Sequence, residues 1–149
     1  MRSGTENVPG IAAFGEAVRI GSLAVRERYA YLSELRSYLV AEVEDKLTEI
    51  TVIKPKANAP HIVNLVLPKI KSETMLHYLS SLGIYVSSGS ACSSHGHATS
   101  RALSAFGVSA ASADCSLRIS LCSANTQAEI DALCAALDTG VRNLVRIHK

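Results

Sequence analysis

From Ile11 to Leu47 the apolar positions 11, 14, 18, 25, 32, 35, 39, 43 and 47 follow one another in steps of three, four or seven. Arg26, Glu27, Glu34, Glu42 and Glu44 fall on the other faces. That spacing predicts a long amphipathic helix. Straight, it would run about 55 Å at 1.5 Å per residue, longer than a globule of this size needs. The sequence therefore predicts a break or kink at Gly15 and Gly21, or else packing of the helix's first part against protein outside this chain. Pro9 suits the first turn.

The remainder alternates between two periods. Residues 48–53 are β-branched and alternating, and 61–67 repeat the pattern, separated by Lys54-Pro55-Lys56-Ala57-Asn58-Ala59-Pro60; both read as strands. Ser72 is positioned to cap a helix through about Leu82, with Met75, Leu76, Leu79 and Leu82 on its buried side and Gly83 in the left-handed position after it. Residues 84–86 read as a short strand. After a polar stretch, 99–106 reads as a helix stopped by Gly107, residues 110–114 as a small-residue connection, and 116–121 as a strand. Thr126 and Glu129 have capping-box spacing, and Ile130, Leu133, Leu137, Val141, Leu144 and Val145 form the apolar stripe of a last helix. The predicted order is α-β-β-α-β-α-β-α. This implies an α/β fold, a two-layer sandwich with a small mixed or antiparallel sheet of about four strands, a long N-terminal helix and a C-terminal helix.

With 149 residues and 48% hydrophobic content the chain fits one domain with one core. Fifteen Lys and Arg against thirteen Asp and Glu leave a net charge of +2. There is no basic run of the sort a phosphate backbone requires, so nucleic acid is not an expected partner. No stretch reads as a membrane span or a signal peptide, and the expectation is a cytoplasmic chain. Cys92, Cys115, Cys122 and Cys134 match no disulfide framework or paired zinc-ligand spacing, so reduced thiols are the default.

Chemistry concentrates at Val86-Ser87-Ser88-Gly89-Ser90-Ala91-Cys92-Ser93-Ser94-His95. A cysteine kept for packing sits among large aliphatic residues, whereas a reactive thiol needs access and a polar setting. Cys92 has the polar setting, in a Gly/Ser-rich loop whose composition predicts mobility. Cys92, His95 and His97 also have spacing compatible with zinc, yet no fourth ligand is evident and no metal is predicted. Arg118 interrupts the apolar strand Ser116-Leu117-Arg118-Ile119-Ser120-Leu121. Alternation puts Leu117, Ile119 and Leu121 on one face and Ser116, Arg118 and Ser120 on the other. There Arg118 is either a solvent-facing residue or a clamp for a carboxylate, whose geometry its planar fork matches. The hydroxyls and backbone donors of Arg2-Ser3-Gly4-Thr5, with Asn7, suit an anion or else belong to a frayed terminus.

Together these segments resemble the cysteine desulfurases of the class V aminotransferase group, which have the fold type I of pyridoxal phosphate enzymes. Residues 87–94 resemble the family's active-cysteine segment, residues 117–121 its arginine strand, and Asn125, Thr126, Glu129 and Ile130 the start of its last helix. Residues 2–10 resemble the segment after its cofactor-lysine region. Cys122 stands where the family usually has glycine.

The resemblance implies that Cys92 is the nucleophile that takes sulfur from L-cysteine as a persulfide. It implies further that Arg118 binds the substrate carboxylate, and that Thr5 reaches the phosphate of the other subunit's cofactor in a homodimer. None of Lys46, Lys54, Lys56, Lys69, Lys71 or Lys149 matches the Schiff-base lysine. Residues 1–149 therefore resemble the C-terminal small domain alone, without the large pyridoxal phosphate-binding domain. The implied function is a share in converting L-cysteine to L-alanine, with delivery of the sulfur to an acceptor such as an iron–sulfur scaffold protein. By itself the chain is expected to be inactive. A selenocysteine lyase-like activity and a stand-alone persulfide carrier are the alternatives.

Overall fold

A computed structural model describes residues 4–88 and 101–146. In chain order they form α1 (Val8–Leu23), α2 (Val25–Lys46), β1 (Thr51–Ile53), β2 (Ile62–Val66), α3 (Ser72–Ser81), β3 (Ser87–Ser88), α4 (Arg101–Ala105), α5 (Ala110–Asp114), β4 (Ser116–Ser120) and α6 (Gln127–Asn143). The four strands make one sheet in the order β1-β2-β4-β3, antiparallel at every pairing. Helices α2 and α3 pack against the strands, and α6 packs against both helices.

The core lies between these layers. Leu35, Leu39 and Val43 of α2, Val63 and Leu65 of β2, Met75 and Leu79 of α3, Leu117 and Ile119 of β4, and Ile130, Leu133, Leu137 and Val141 of α6 belong to one buried cluster. On β2 the alternate residues Ile62, Asn64 and Val66 are only half-buried, so the opposite face of the sheet is partly open. The predicted α/β architecture, with long N-terminal helices and a closing C-terminal helix, is the one observed.

Two local chemistries predicted from sequence hold. The Thr126 side chain accepts from the Glu129 backbone N–H while the Glu129 carboxylate accepts from the Thr126 N–H at 2.8 Å, closing the capping box of α6. Gly83 and Gly107 both adopt φ +76°, the left-handed region in which a side chain is strained. No single helix among the described residues is long and apolar enough to cross a membrane.

Several boundaries differ. The long N-terminal helix breaks at Ala24, not at Gly15 or Gly21, and its two parts are bent by 62°. The glycines stay helical, and the break precedes the change in burial: no residue of α1 is buried, whereas α2 inserts Leu35, Leu39 and Val43 into the core. The strand predicted from residue 48 starts at Thr51, because a turn in which the Ile50 N–H bonds the Leu47 carbonyl uses the first residues.

Residues 84–86 are not paired in the sheet; β3 is Ser87–Ser88. The Gly83 turn returns the Ile84 N–H to the Leu79 carbonyl at 3.0 Å, and the next residues span the distance from helix to sheet. The connection at 110–114 is the helical turn α5, capped by Ser109, whose hydroxyl accepts from the Ser112 N–H at 3.1 Å. Val145 lies past the end of α6 and is exposed, as is Leu82 past the end of α3. Ser72 is not a cap but the first residue of α3, which follows Lys71 without a side-chain capping bond. The predicted helix start at Thr99 falls outside the described residues.

Candidate functional site

Arg118 is the middle residue of β4, paired with Asn64 of β2 on one side and Ser87 of β3 on the other. Residues paired across antiparallel strands project from the same face, so Asn64, Arg118 and Ser87 form a row on the open side of the sheet. Leu117 and Ile119, its neighbours in sequence, are buried on the helix side. Arg118 is exposed, and its Nη2 donates to Ser87 Oγ at 3.4 Å. Ser116 departs from the predicted polar face. It is completely buried, and its hydroxyl donates to the Ala113 carbonyl of α5 at 2.9 Å, which satisfies the polar group there.

Cys92, His95 and His97 lie outside the described residues, and with them the predicted loop mobility and the zinc-compatible spacing. The chain on either side of them is described. Ser88 turns into the core at 8% exposure while Ser87 turns outward to Arg118, and beyond the segment α4 anchors itself through buried Leu103.

The other three cysteines are free thiols in contrasting settings. Cys134 is buried on α6, and burial pushes its thiol up to about 11. Cys115 is buried as well, its thiol raised by burial and next by the Asp114 carboxylate. Both are poor nucleophiles at neutral pH. Cys122 is exposed just past β4, and its backbone N–H donates to Asn125 Oδ1 at 2.8 Å.

Thr5 is exposed on the short lead into α1. Asn7, grouped with it as a candidate anion contact, is occupied structurally, since its side chain caps α1 by accepting from the Gly10 N–H at 3.1 Å. The structure thus gives Arg118 a built surrounding and leaves Thr5 in solvent. Sequence reasoning missed the pairing of Arg118 with Ser87. Alternation showed that Arg118 faces away from the core, but the identity of a cross-strand partner depends on register, which this sequence does not reveal.

The sequence matches the Aminotransferase class-V family over residues 1–133. The chain belongs to that family. Within it the chain is a homologue of the cysteine desulfurases IscS and NifS. It is 36% identical over 121 residues to cysteine desulfurase IscS of Dictyoglomus turgidum, covering 80% of this chain and 31% of that protein. It is 33% identical over 143 residues to cysteine desulfurase IscS of Methanosarcina thermophila, covering 96% and 35%. Among solved structures, a NifS-like protein superposes with a TM-score of 0.78 at 31% identity, covering 96% of this chain and 36% of that one. The chain spans about a third of the length of the relatives it matches.

Pyridoxal phosphate is the typical cofactor of this family, and the described residues do not fit a complete site for it. Imine chemistry needs an enclosed amine with a lowered proton affinity. Lys46 is paired with Glu42 and Lys54 with Glu44, while Lys56, Lys69 and Lys71 are exposed to solvent. Arg118 and Thr5 offer at most the edge of such a site.

Proposed function

We propose that this chain is the small-domain part of a pyridoxal phosphate-dependent cysteine desulfurase. In the complete protein L-cysteine and the Cys92 thiol are converted to L-alanine and a Cys92 persulfide: the substrate's C–S bond is broken and an S–S bond is made, with no external oxidant. Arg118 holds the substrate carboxylate, Thr5 contributes to the phosphate site of the other subunit of a homodimer, and the persulfide is passed to a sulfur acceptor such as an iron–sulfur scaffold protein in the cytoplasm.

The observation that carries the reading is the pairing of Arg118 with Ser87. Cys92 follows Ser87 by five residues. A chain extends by at most ~3.3–3.6 Å per residue, so the tether keeps the thiol-bearing residue within about 18 Å of the strand position beside the arginine. A carboxylate fork and a sulfur-accepting thiol on one short tether suit an amino-acid substrate whose side chain carries sulfur. A persulfide carrier has no need of the fork.

Alanine formation from L-cysteine by the complete polypeptide tests this. Cys92→Ser should abolish both alanine release and the persulfide mapped to the Cys92 peptide. Arg118→Ala should lower kcat/KM by ~2–4 kcal/mol, roughly 30-fold to nearly 1000-fold, with Arg118→Lys recovering only part. Undiminished alanine formation in Cys92→Ser would remove the nucleophile assignment. Unchanged kcat/KM in a folded Arg118→Ala protein, with Cys92 still accepting persulfide from another protein, would favour the carrier.

A further inference from the structure

We propose that Ser87 is a positioning residue for Arg118, holding the guanidinium on the β3 side of the sheet at the root of the Cys92 segment. The proposal deepens the reading of Arg118 as the substrate-carboxylate clamp and rests on it for its catalytic consequence. An arginine on an open sheet face has several rotamers of similar energy, and a bidentate fork reads a carboxylate only when its plane is oriented. The structure supplies one orienting contact, Nη2 to Ser87 Oγ at 3.4 Å. At that length it is no stronger than an ordinary neutral hydrogen bond, and it acts by biasing rotamers of similar energy. Its value is directional, since it draws the fork away from Asn64, on the other side of Arg118, toward the strand that continues to Cys92.

The backbone makes Ser87 a firm support. Ser88 is buried at 8% exposure, so strand alternation commits Ser87 to the outer face. Upstream, the left-handed Gly83 and the bond from the Ile84 N–H to the Leu79 carbonyl tie the segment to α3. The pairings Ser87 to Arg118 and Ser88 to Leu117 tie it to β4. The hydroxyl that touches the arginine is therefore held from both sides by packed elements.

Ser87→Val and Ser87→Thr form the decisive pair, because they share a β-branched shape suited to a strand and differ in the hydroxyl. In this chain, modification of Arg118 by phenylglyoxal, followed on its tryptic peptide by mass spectrometry, should be about 3- to 10-fold faster in Ser87→Val than in Ser87→Thr. Equal rates in the two variants would overturn the proposal. In the complete polypeptide, Ser87→Val should raise KM for L-cysteine about 3- to 10-fold with kcat within about twofold, and Ser87→Thr should keep the original KM. In an Arg118→Ala background the two variants should be indistinguishable. If Arg118→Ala raises KM while Ser87→Val does not, the positioning role is overturned and the clamp stands. If Arg118→Ala leaves kcat/KM unchanged, the clamp fails, and the modification rates still decide whether Ser87 orients the arginine.

Discussion

Helices α1 and α2 are consecutive, share one apolar repeat, and end up in opposite environments. Helix α1 is the more apolar, with Glu16 and Arg19 as its charged residues, and these pair with each other. Yet none of its residues is buried, and Phe14 is 72% exposed. Helix α2 carries many more charges and buries Leu35, Leu39 and Val43. Apolar content is thus a poor guide to burial within this chain; what matters is whether a complementary surface lies opposite. For α2 that surface is the sheet together with α6, joined also by Tyr38 Oη donating to Asp131 Oδ1 at 2.7 Å and Tyr31 Oη to the Asn125 carbonyl at 2.7 Å. The candidate site residues divide in the same way: Arg118 sits within the sheet, whereas Thr5 leads into the helix that buries nothing.

Truncation should show this contrast most strongly. Leu39→Ala, at a fully buried position, should cost about 2–5 kcal/mol in urea denaturation of this chain. Phe14→Ala should shift it by less than about 0.5 kcal/mol. A comparable loss from Phe14→Ala would mean that α1 stabilises the core in solution.

Glycine substitutions sharpen the comparison at a smaller scale. A Cβ on Gly140 of α6 would lie 2.7 Å from Met75 Sδ and 3.2 Å from Tyr78 Cδ1, so Gly140→Val should cost about 1–3 kcal/mol by overpacking. Gly15 of α1 has nothing within 4 Å of such a Cβ. Gly15→Ala should raise helical content in far-ultraviolet circular dichroism and leave the urea midpoint unchanged.

The helix starts differ by less. Thr126→Ala should cost about 1 kcal/mol, since α6 is part of the core and its cap is reciprocal. The Thr126 backbone N–H, and next the Asn125 side chain, hold the Glu129 carboxyl below its ordinary range. A lowered folded-state pKa gives stability that is present above the unfolded value and lost as pH falls through the folded one. Glu129→Gln should therefore flatten the acid limb of the stability profile, read as Tm against pH.

The smallest effect is at alkaline pH. Because burial pushes the Cys134 thiol up to about 11 from an ordinary 9.0, its contribution is complete below the unfolded value and is lost as pH rises toward about 11. Cys134→Ala should remove that alkaline slope in Tm. In the original chain, alkylation at neutral pH should reach exposed Cys122 before Cys134 or Cys115, and sequence context ranks Cys92 ahead of all three.

Local stereochemistry and side-chain periodicity were readable from the sequence because they depend on neighbours within a few residues. Thr126 with Glu129 marked a helix start, Gly83 marked a left-handed stop and Gly107 a helix end, the stripe from Ile130 to Val141 marked a buried helix face, and alternation around Arg118 marked its outward direction. The active-cysteine and arginine segments pointed to the family on the same local basis. Only the tertiary structure decided that the N-terminal helix breaks at Ala24, that β3 begins at Ser87 and not at Ile84, that Ser116 is buried, and that no residue of α1 is buried. Strand limits and burial depend on partners distant in sequence: register is set by pairing between strands, and burial by the surface that meets a face. For the same reason the outward direction of Arg118 belonged to its own strand, but Ser87 beside it belonged to the fold.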